Sequence, residues 1–512
     1  MLATTFACEI VGLEGTIVQV EVDYNPRGMP YVSVVGLPDV AIKESKERVR
    51  AAIKNSGLTF PNKHYVINLA PADIRKEGPA YDLAIAVACL AVTDQAPVDK
   101  LHNAVFVGEL SLNGQVRHVR GILPIAQAAA AAGFEKIYVP EESAQVAAFV
   151  PDIDVIPVPS LGHLVEHLYA LNVIPPMQTP DFQSLTPDIK FFKGVDMADI
   201  KGQEHVKRSL EVAAAGAHNI LMVGSPGVGK TLMARALPAI LPKLSWEEAL
   251  EVTRIYSVAD LLKSDMPLIV ERPYRDPHHT TSQAGLVGGG SYPRPGEISL
   301  AHRGVLFLDE FVEFPNKTLE VLRQPLEDKK VTISRAKISL TYPANFMLVA
   351  SMNPCPCGYL HDPVHTCTCS TGMIQKYQGK ISGPLLDRID IHIDVPRVDY
   401  EKLTNVSPGE SSETIRERVE AARQRQRERF SDWPHLQANA DMTVKHIDQF
   451  CTMTPQAQQV IKATIQKMQL SARAYHRILK LARTIADLDD ARTIDVPHVA
   501  EAVQYRPRRF TV

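Results

Sequence analysis

The chain has 512 residues, of which 45% are apolar and 22% charged, and a formal net charge of −3. That length exceeds what one hydrophobic core organises, and about 150 residues per domain predicts roughly three domains. The near-neutral balance excludes a global field for nucleic acid, so any such contact has to come from a local patch.

The opening stretch "MLATTFACEIVGLEG" lacks a basic n-region and carries Glu9 early, which argues against a secretory leader. The longest apolar run, "AYDLAIAVACLAV", contains Asp82 and is too short to span a bilayer. Both features predict a cytoplasmic protein with reduced thiols and no membrane partner. Residues 1–172 alternate strand-like and helix-like segments. "TIVQVEVDY", "YVSVVGL", "HYVINLAP" and "AVFVGEL" read as strands. "VAIKESKERVRAAIKNSG" and "LPIAQAAAAAGF" read as helices closed by glycine. On the first helix, Lys43, Lys46, Arg48 and Arg50 interleave with Glu44 and Glu47 and read as a solvated face. Residues 173–190 are rich in proline and polar side chains and read as a linker. Residues 191–398 form a second α/β segment with glycine-rich loops. Residues 399–512 are mainly helical, with "SPGESSE" as a short linker near their start.

"NILMVGSPGVGKT" is an apolar strand followed by Gly224, Ser225, Pro226, Gly227, Val228, Gly229, Lys230 and Thr231, the phosphate-loop pattern. Its glycines let backbone N–H groups face phosphates, and the helix that follows adds its positive end. Lys230 is placed for the β and γ phosphates of ATP, and Thr231 for Mg²⁺. "GVLFLDE" is a buried strand ending in Asp309 and Glu310. Asp309 is placed to hold Mg²⁺ and Glu310 to orient the attacking water. Alone, such an ending marks many strands; downstream of a phosphate loop it marks hydrolysis. A third strand, "NFMLVASMN", ends in Asn353, placed to sense the γ-phosphate. Arg388 precedes another strand and Arg473 opens a helix. Most arginines are surface or salt-bridging residues, but in this setting both read as γ-phosphate contacts.

Four of the seven cysteines, Cys355, Cys357, Cys367 and Cys369, lie just after Asn353. Two Cys-x-Cys knuckles can converge on tetrahedral Zn²⁺, with His361 and His365 as spare ligands. In a reducing compartment zinc thiolate outranks disulfide, and reduced thiols or a redox switch are the other readings. "LEDKKVTISRAKISLTYPANF" reads as a β-hairpin carrying Lys329, Lys330, Arg335 and Lys337, candidates for DNA phosphate contacts.

In order, the phosphate loop, Asp-Glu strand, asparagine, arginine and helical tail resemble the AAA+ ATPases. The segment "RPYRDPHHTTSQAGLVGGGSYPRPGEISLAHRGVLFLDE" resembles their magnesium-chelatase-like branch, and the whole chain resembles the YifB/ComM family. That resemblance implies an AAA+ phosphate-loop core with an α-helical lid, and an ATP-driven DNA motor of homologous recombination in natural transformation. It implies a homo-oligomeric, hexameric ring of chains, with Arg388 as an arginine finger acting on a neighbour and Arg473 as the sensor-2 arginine. It brings DNA and recombination proteins as partners. "KEGPAYDLAIAVA" and "VGELSLNGQVRHVRGILPIAQAAAAAGF" resemble the Lon protease domain, of the ribosomal S5 domain 2-like fold. There the motif's serine falls on Ala80 and its lysine on Leu123, which implies a proteolytically inactive domain. A chelatase-type ATPase that remodels a protein partner, and a nucleotide-dependent scaffold, are the competing classes.

Overall fold

The computed structural model describes residues 1–180, 195–263, 266–290, 293–334, 339–398 and 409–506. The chain divides into two compact units, Met1–Pro187 with Trp246–Ile269, and Asp188–Ser245 with Val270–Val512.

The first unit holds β1 (Leu2–Val11), β2 (Glu14–Asn25), β3 (Tyr31–Val35), β4 (His64–Ala70), β5 (Ala104–Phe106), the short hairpin of β6 (Glu109–Leu110) and β7 (Val116–Arg117), β8 (Lys136–Pro140) and β9 (Asp154–Val158). Seven of these form one sheet in the order β3-β4-β2-β1-β5-β8-β9. β1 pairs antiparallel with β2 along its whole length, and Gly12 turns between them at φ +69°. The stretch that argues against a leader is thus one full arm of the β1-β2 hairpin, a strand that the sequence pattern does not announce. Helix Asp82–Ala91 has all ten residues buried, so the longest apolar run is a core helix. Ala80 lies in a one-turn 3-10 segment, Pro79–Tyr81, and Leu123 is fully buried in helix Ile122–Ala131.

Arg48 departs from the solvated face read for its helix, Val40–Asn55. Its Nε lies 2.8 Å from the fully buried Asp82 carboxylate, which also accepts from Ser45 and from the Leu110 N–H. Burial pushes the Asp82 carboxyl up, and Arg48 and Ser45 oppose that push. Arg48→Met is expected to strand a buried carboxylate and cost about 3 kcal/mol of stability. Urea denaturation reads this directly, and an unchanged midpoint would show that the pair does not pin the helix.

Helix Trp246–Ala259, read from sequence as part of the motor segment, packs in the first unit against helix Ile122–Ala131. The Gly121 N–H donates to the Ser257 carbonyl (2.9 Å), and the Trp246 ring meets Phe149 edge-on at 5.8 Å. Within 173–180 no helix or strand forms, and the Met177 N–H donates to Val155 of β9 (2.8 Å). The remainder of the expected linker, 181–190, lies outside the described residues.

The second unit holds β10 (Ile220–Val223), β11 (Tyr274–Arg275), the two-residue ribbon of β12 (Gly288–Gly289) with β13 (Arg294–Pro295), β14 (Val305–Leu308), β15 (Lys330–Ser334), β16 (Ser339–Pro343), β17 (Met347–Met352) and β18 (Ile391–Asp394). A parallel sheet runs β11-β14-β17-β10-β18. Every residue of β10, β14 and β17 is buried, as the unbroken apolar runs require of strands covered on both faces. Helices Ser412–Arg429, Pro455–Met468, Ala472–Leu488 and Val496–Gln504 follow. Val419, Ile461, Ile485 and Val499 from them share one core with Ile220, Phe307 and Val349 of the sheet. β15 and β16 pair antiparallel, Lys330 opposite Pro343, as the hairpin expected from the sequence. Among the described residues no helix is long and apolar enough to cross a membrane.

Candidate nucleotide site and cysteine cluster

Parallel strands that share one direction bring the loops after their carboxyl ends together. The loop Gly224–Gly229 leaves β10, Asp309 and Glu310 leave β14, and Asn353 leaves β17, three adjacent strands of the sheet. Gly227 and Gly229 take φ of +79° and +91°, which side chains resist. Helix Lys230–Ile240 starts directly after them, so its unpaired N–H groups open onto the loop. Lys230 is buried, and its Nζ donates to the carbonyls of Gly224 (2.6 Å) and Ser225 (3.0 Å) and to Asn353 Oδ1 (3.2 Å). The Thr231 hydroxyl donates to Asp309 Oδ2 (2.8 Å), while Ser351 donates to Asp309 Oδ1. A hydroxyl and a carboxylate so placed are the oxygen donors that Mg²⁺ takes.

Burial holds the Lys230 ammonium down to about 8, and the carboxylates of Asp309 and Glu310 pull the other way. The lysine is therefore fully charged only below that value, and a bound polyphosphate would raise it again. Nucleotide binding at pH 8 is expected to take up about half a proton, declining toward pH 6.5. Calorimetry in two buffers of different ionisation enthalpy measures this, and zero uptake at pH 8 would place Lys230 away from the phosphates.

Glu310 sits at φ +51°, a left-handed backbone uncommon outside glycine. Its Oε2 lies 3.2 Å from Nδ1 of His279, whose ring also meets His278 (4.1 Å) and the edge of Phe314 (6.4 Å). The sequence reading missed His279, which lies just past the end of β11.

The four clustered cysteines converge. Their sulfurs all lie within 4.8 Å of one another, with Cys355–Cys357 at 3.4 Å, Cys355–Cys367 at 3.7 Å and Cys357–Cys367 at 3.6 Å. Those separations are far beyond a disulfide of about 2.05 Å. They approach the edge of about 3.8 Å that four Zn–S bonds of about 2.3 Å give a tetrahedron. Backbone N–H groups of Tyr359 and Thr368 hold the Cys357 thiol down to about 6, while burial pushes Cys355 up to about 12. Neither His361 nor His365 joins the cluster of four.

Comparison with known proteins fits this arrangement. The family described as magnesium chelatase, subunit ChlI, matches residues 196–403, its C-terminal family matches 409–506, and a further ChlI family matches 20–143. The competence protein ComM of Haemophilus influenzae is 40% identical over 508 residues, covering 99% of this chain and 97% of its own. The YifB protein of Escherichia coli K12 is 40% identical over 498 residues, 97% of this chain and 95% of its own. The chain belongs to the YifB/ComM family of magnesium-chelatase-like AAA+ proteins. A shorter match is the DNA repair protein RadA of Treponema pallidum, 40% identical over 94 residues, 18% of this chain and 20% of its own.

In this YifB/ComM chain the two arginines stand apart from the phosphate loop's hydrogen bonds. Arg388 pairs with Glu327 and donates to the Pro384 carbonyl. Arg473 is 71% exposed at its side chain, with Asp387 at 3.9 Å. Of the hairpin cations, Lys329 is engaged by Asp441 (3.0 Å) and Asn345 (2.9 Å) at the hairpin's base. Lys330 is exposed. Arg335 and Lys337 lie outside the described residues.

Proposed function

We propose that the protein is an ATPase that drives a DNA motor of branch migration in homologous recombination, serving integration of DNA during natural transformation. The observation that carries the ATPase part is the meeting of Lys230, Thr231, Asp309 and Asn353 at the carboxyl edge of one parallel sheet. In this reading Lys230 and the loop N–H groups bind the β and γ phosphates. Thr231 and Asp309 hold Mg²⁺, which supplies charge neutralisation on the phosphates. Glu310 orients water for in-line attack, and Asn353 positions it against the γ-phosphate. Arg388 acts on the ATP of a neighbouring chain in a hexameric ring, and Arg473 contacts the γ-phosphate from the lid. Residues 191–398 are the motor and 399–512 the lid, joined through 173–190 to a Lon-like, proteolytically inactive domain at 1–172. Ala80 and Leu123, where the resemblance puts the dyad, offer no nucleophile or base. Lys330 on the hairpin is the described cation left exposed for DNA, and the likeness to a DNA repair protein, RadA, lends the DNA reading support. The four thiolates hold structural Zn²⁺, because a closed set of four leaves no open position for catalysis.

A second reading, remodelling of a protein partner as in the chelatases, draws on the three ChlI matches. Steady-state ATP hydrolysis at fixed salt, without DNA and with single-stranded, duplex and junction DNA, separates the two. The motor reading expects strong stimulation by DNA, and loss of nucleotide binding in Lys230→Ala. Turnover indifferent to every DNA would favour the protein-remodelling reading. Salt is held constant because phosphate contacts weaken steeply with it.

A further inference from the structure

The cysteine cluster does more than close a surface loop. Cys355 and Cys357 bracket one end of the segment, and Cys367 and Cys369 the other. The residues between them turn back onto the phosphate loop. Gly358, at φ +85°, lies so close to Pro226 that an added Cβ would stand 2.6 Å from its Cδ and 2.8 Å from its Cγ. The Asp362 carboxylate is fixed by the N–H groups of His365 and Val364 (2.9 Å each), and these with the nearby Ser225 side chain hold it well below the usual carboxylate range. At the root of the segment, Asn353 accepts from Lys230. Gln378 of the next helix donates to the Pro354 carbonyl (2.9 Å), which anchors the other side of that root. At Gly227, by contrast, nothing lies within 4 Å of an added Cβ, so the turn between Pro226 and Gly229 is open on that side.

We propose that the four-thiolate cluster is a metal-dependent clamp on the phosphate loop, in which a bound zinc-class ion presses Gly358 and Asp362 against Pro226 and Ser225. This rests on the reading of Gly224–Thr231 as the nucleotide site. The physical argument is preorganisation. A loop whose N–H groups must converge on phosphate binds more tightly when its order is established beforehand. With the ion present, all four sulfurs are tied to one centre and the intervening segment is closed at both ends. Without it, like-charged thiolates repel, or the thiols take up protons, and the segment regains its freedom. The Ser225 and Pro226 contacts then lose their support, while the Lys230, Thr231 and Asp309 set keeps its own hydrogen bonds. The ion therefore alters affinity for nucleotide and takes no part in the chemistry.

The test uses the full chain, with zinc content measured by plasma mass spectrometry and affinity by a fluorescent ATP analogue with Mg²⁺. Preparations are the protein as purified, chelator-stripped and zinc-restored, and the variants Gly358→Ala and Asp362→Ala, which keep all four thiols. The clamp expects one zinc per chain, and nucleotide affinity about tenfold weaker after stripping, restored by zinc. It also expects both variants to retain zinc yet bind nucleotide several-fold more weakly, with circular dichroism unchanged. Wild-type affinity in both zinc-loaded variants, or in the stripped protein, would overturn the clamp and leave the nucleotide site standing. Absence of zinc, with none taken up, would overturn it as well. A zinc-loaded, folded protein that binds no nucleotide would instead overturn the nucleotide site, and the clamp with it.

Discussion

Arg388→Ala is expected to lower kcat for ATP by about 10³-fold or more while leaving nucleotide affinity close to wild type. A guanidinium that meets the γ-phosphate only as charge develops stabilises the transition state and contributes little to ground-state binding. In the single chain its guanidinium pairs with Glu327 and its hydrogen bonds do not reach Gly224–Thr231. Service to a neighbour therefore requires Arg388 to exchange Glu327 for phosphate when chains assemble. Mixing makes the trans role measurable. Arg388→Ala supplies an intact site without a finger, and Lys230→Ala supplies a finger beside an impaired site. Recovery of turnover in the mixture would establish action across an interface. Wild-type turnover in Arg388→Ala alone would assign the finger to another residue.

Glu310→Gln is the second large effect. A general base positioned on the attacking water contributes about 10²–10⁴-fold, so single-turnover hydrolysis should slow by that order while ATP still binds. The side chain is 57% exposed, and its loss should not unfold the protein. Assemblies formed with ATP should persist in this variant, which size-exclusion chromatography would detect. Hydrolysis at the normal rate would remove Glu310 from the mechanism. The His279 contact adds a graded comparison. Imidazole at 3.2 Å holds the carboxylate in one place, so His279→Ala should disturb kcat more than KM, and His279→Asn should restore part of it.

The sequence made the candidate nucleotide site legible because each part of it is local. A glycine-rich turn, two carboxylates at a strand end and an asparagine at another strand end each announce themselves within a few residues. Parallel pairing then places them side by side. The cysteine cluster was legible for the same reason, since its four thiols fall within fifteen residues of one another. Contacts made across long separations were not. Arg48 and Asp82 are 34 residues apart, and the charge alternation around Arg48 is equally that of a solvated helix face. His279 reaches Glu310 only because β11 lies beside β14. The seating of Gly358 on Pro226 joins two loops from different strands, and neither loop's composition encodes the other. β1 is equally hard to read, because its strand character shows only in its residue-by-residue pairing with β2.

The excursion of Trp246–Ile269 bears on the order in which the protein is made. The first unit takes its last helix from beyond the phosphate loop, so it stays incomplete on the ribosome until β10 and the Lys230 helix have already emerged. Two unfinished folds then coexist on one nascent chain, a situation in which exposed apolar surface invites misassembly. A fragment cut at Pro187 would leave bare the face of helix Ile122–Ala131 that receives Trp246–Ala259. Such a truncation should express poorly, and supplying residues 246–269 on a short tether should rescue it. The boundary at which this gene can be divided is thus set by a helix encoded inside what looks like the motor.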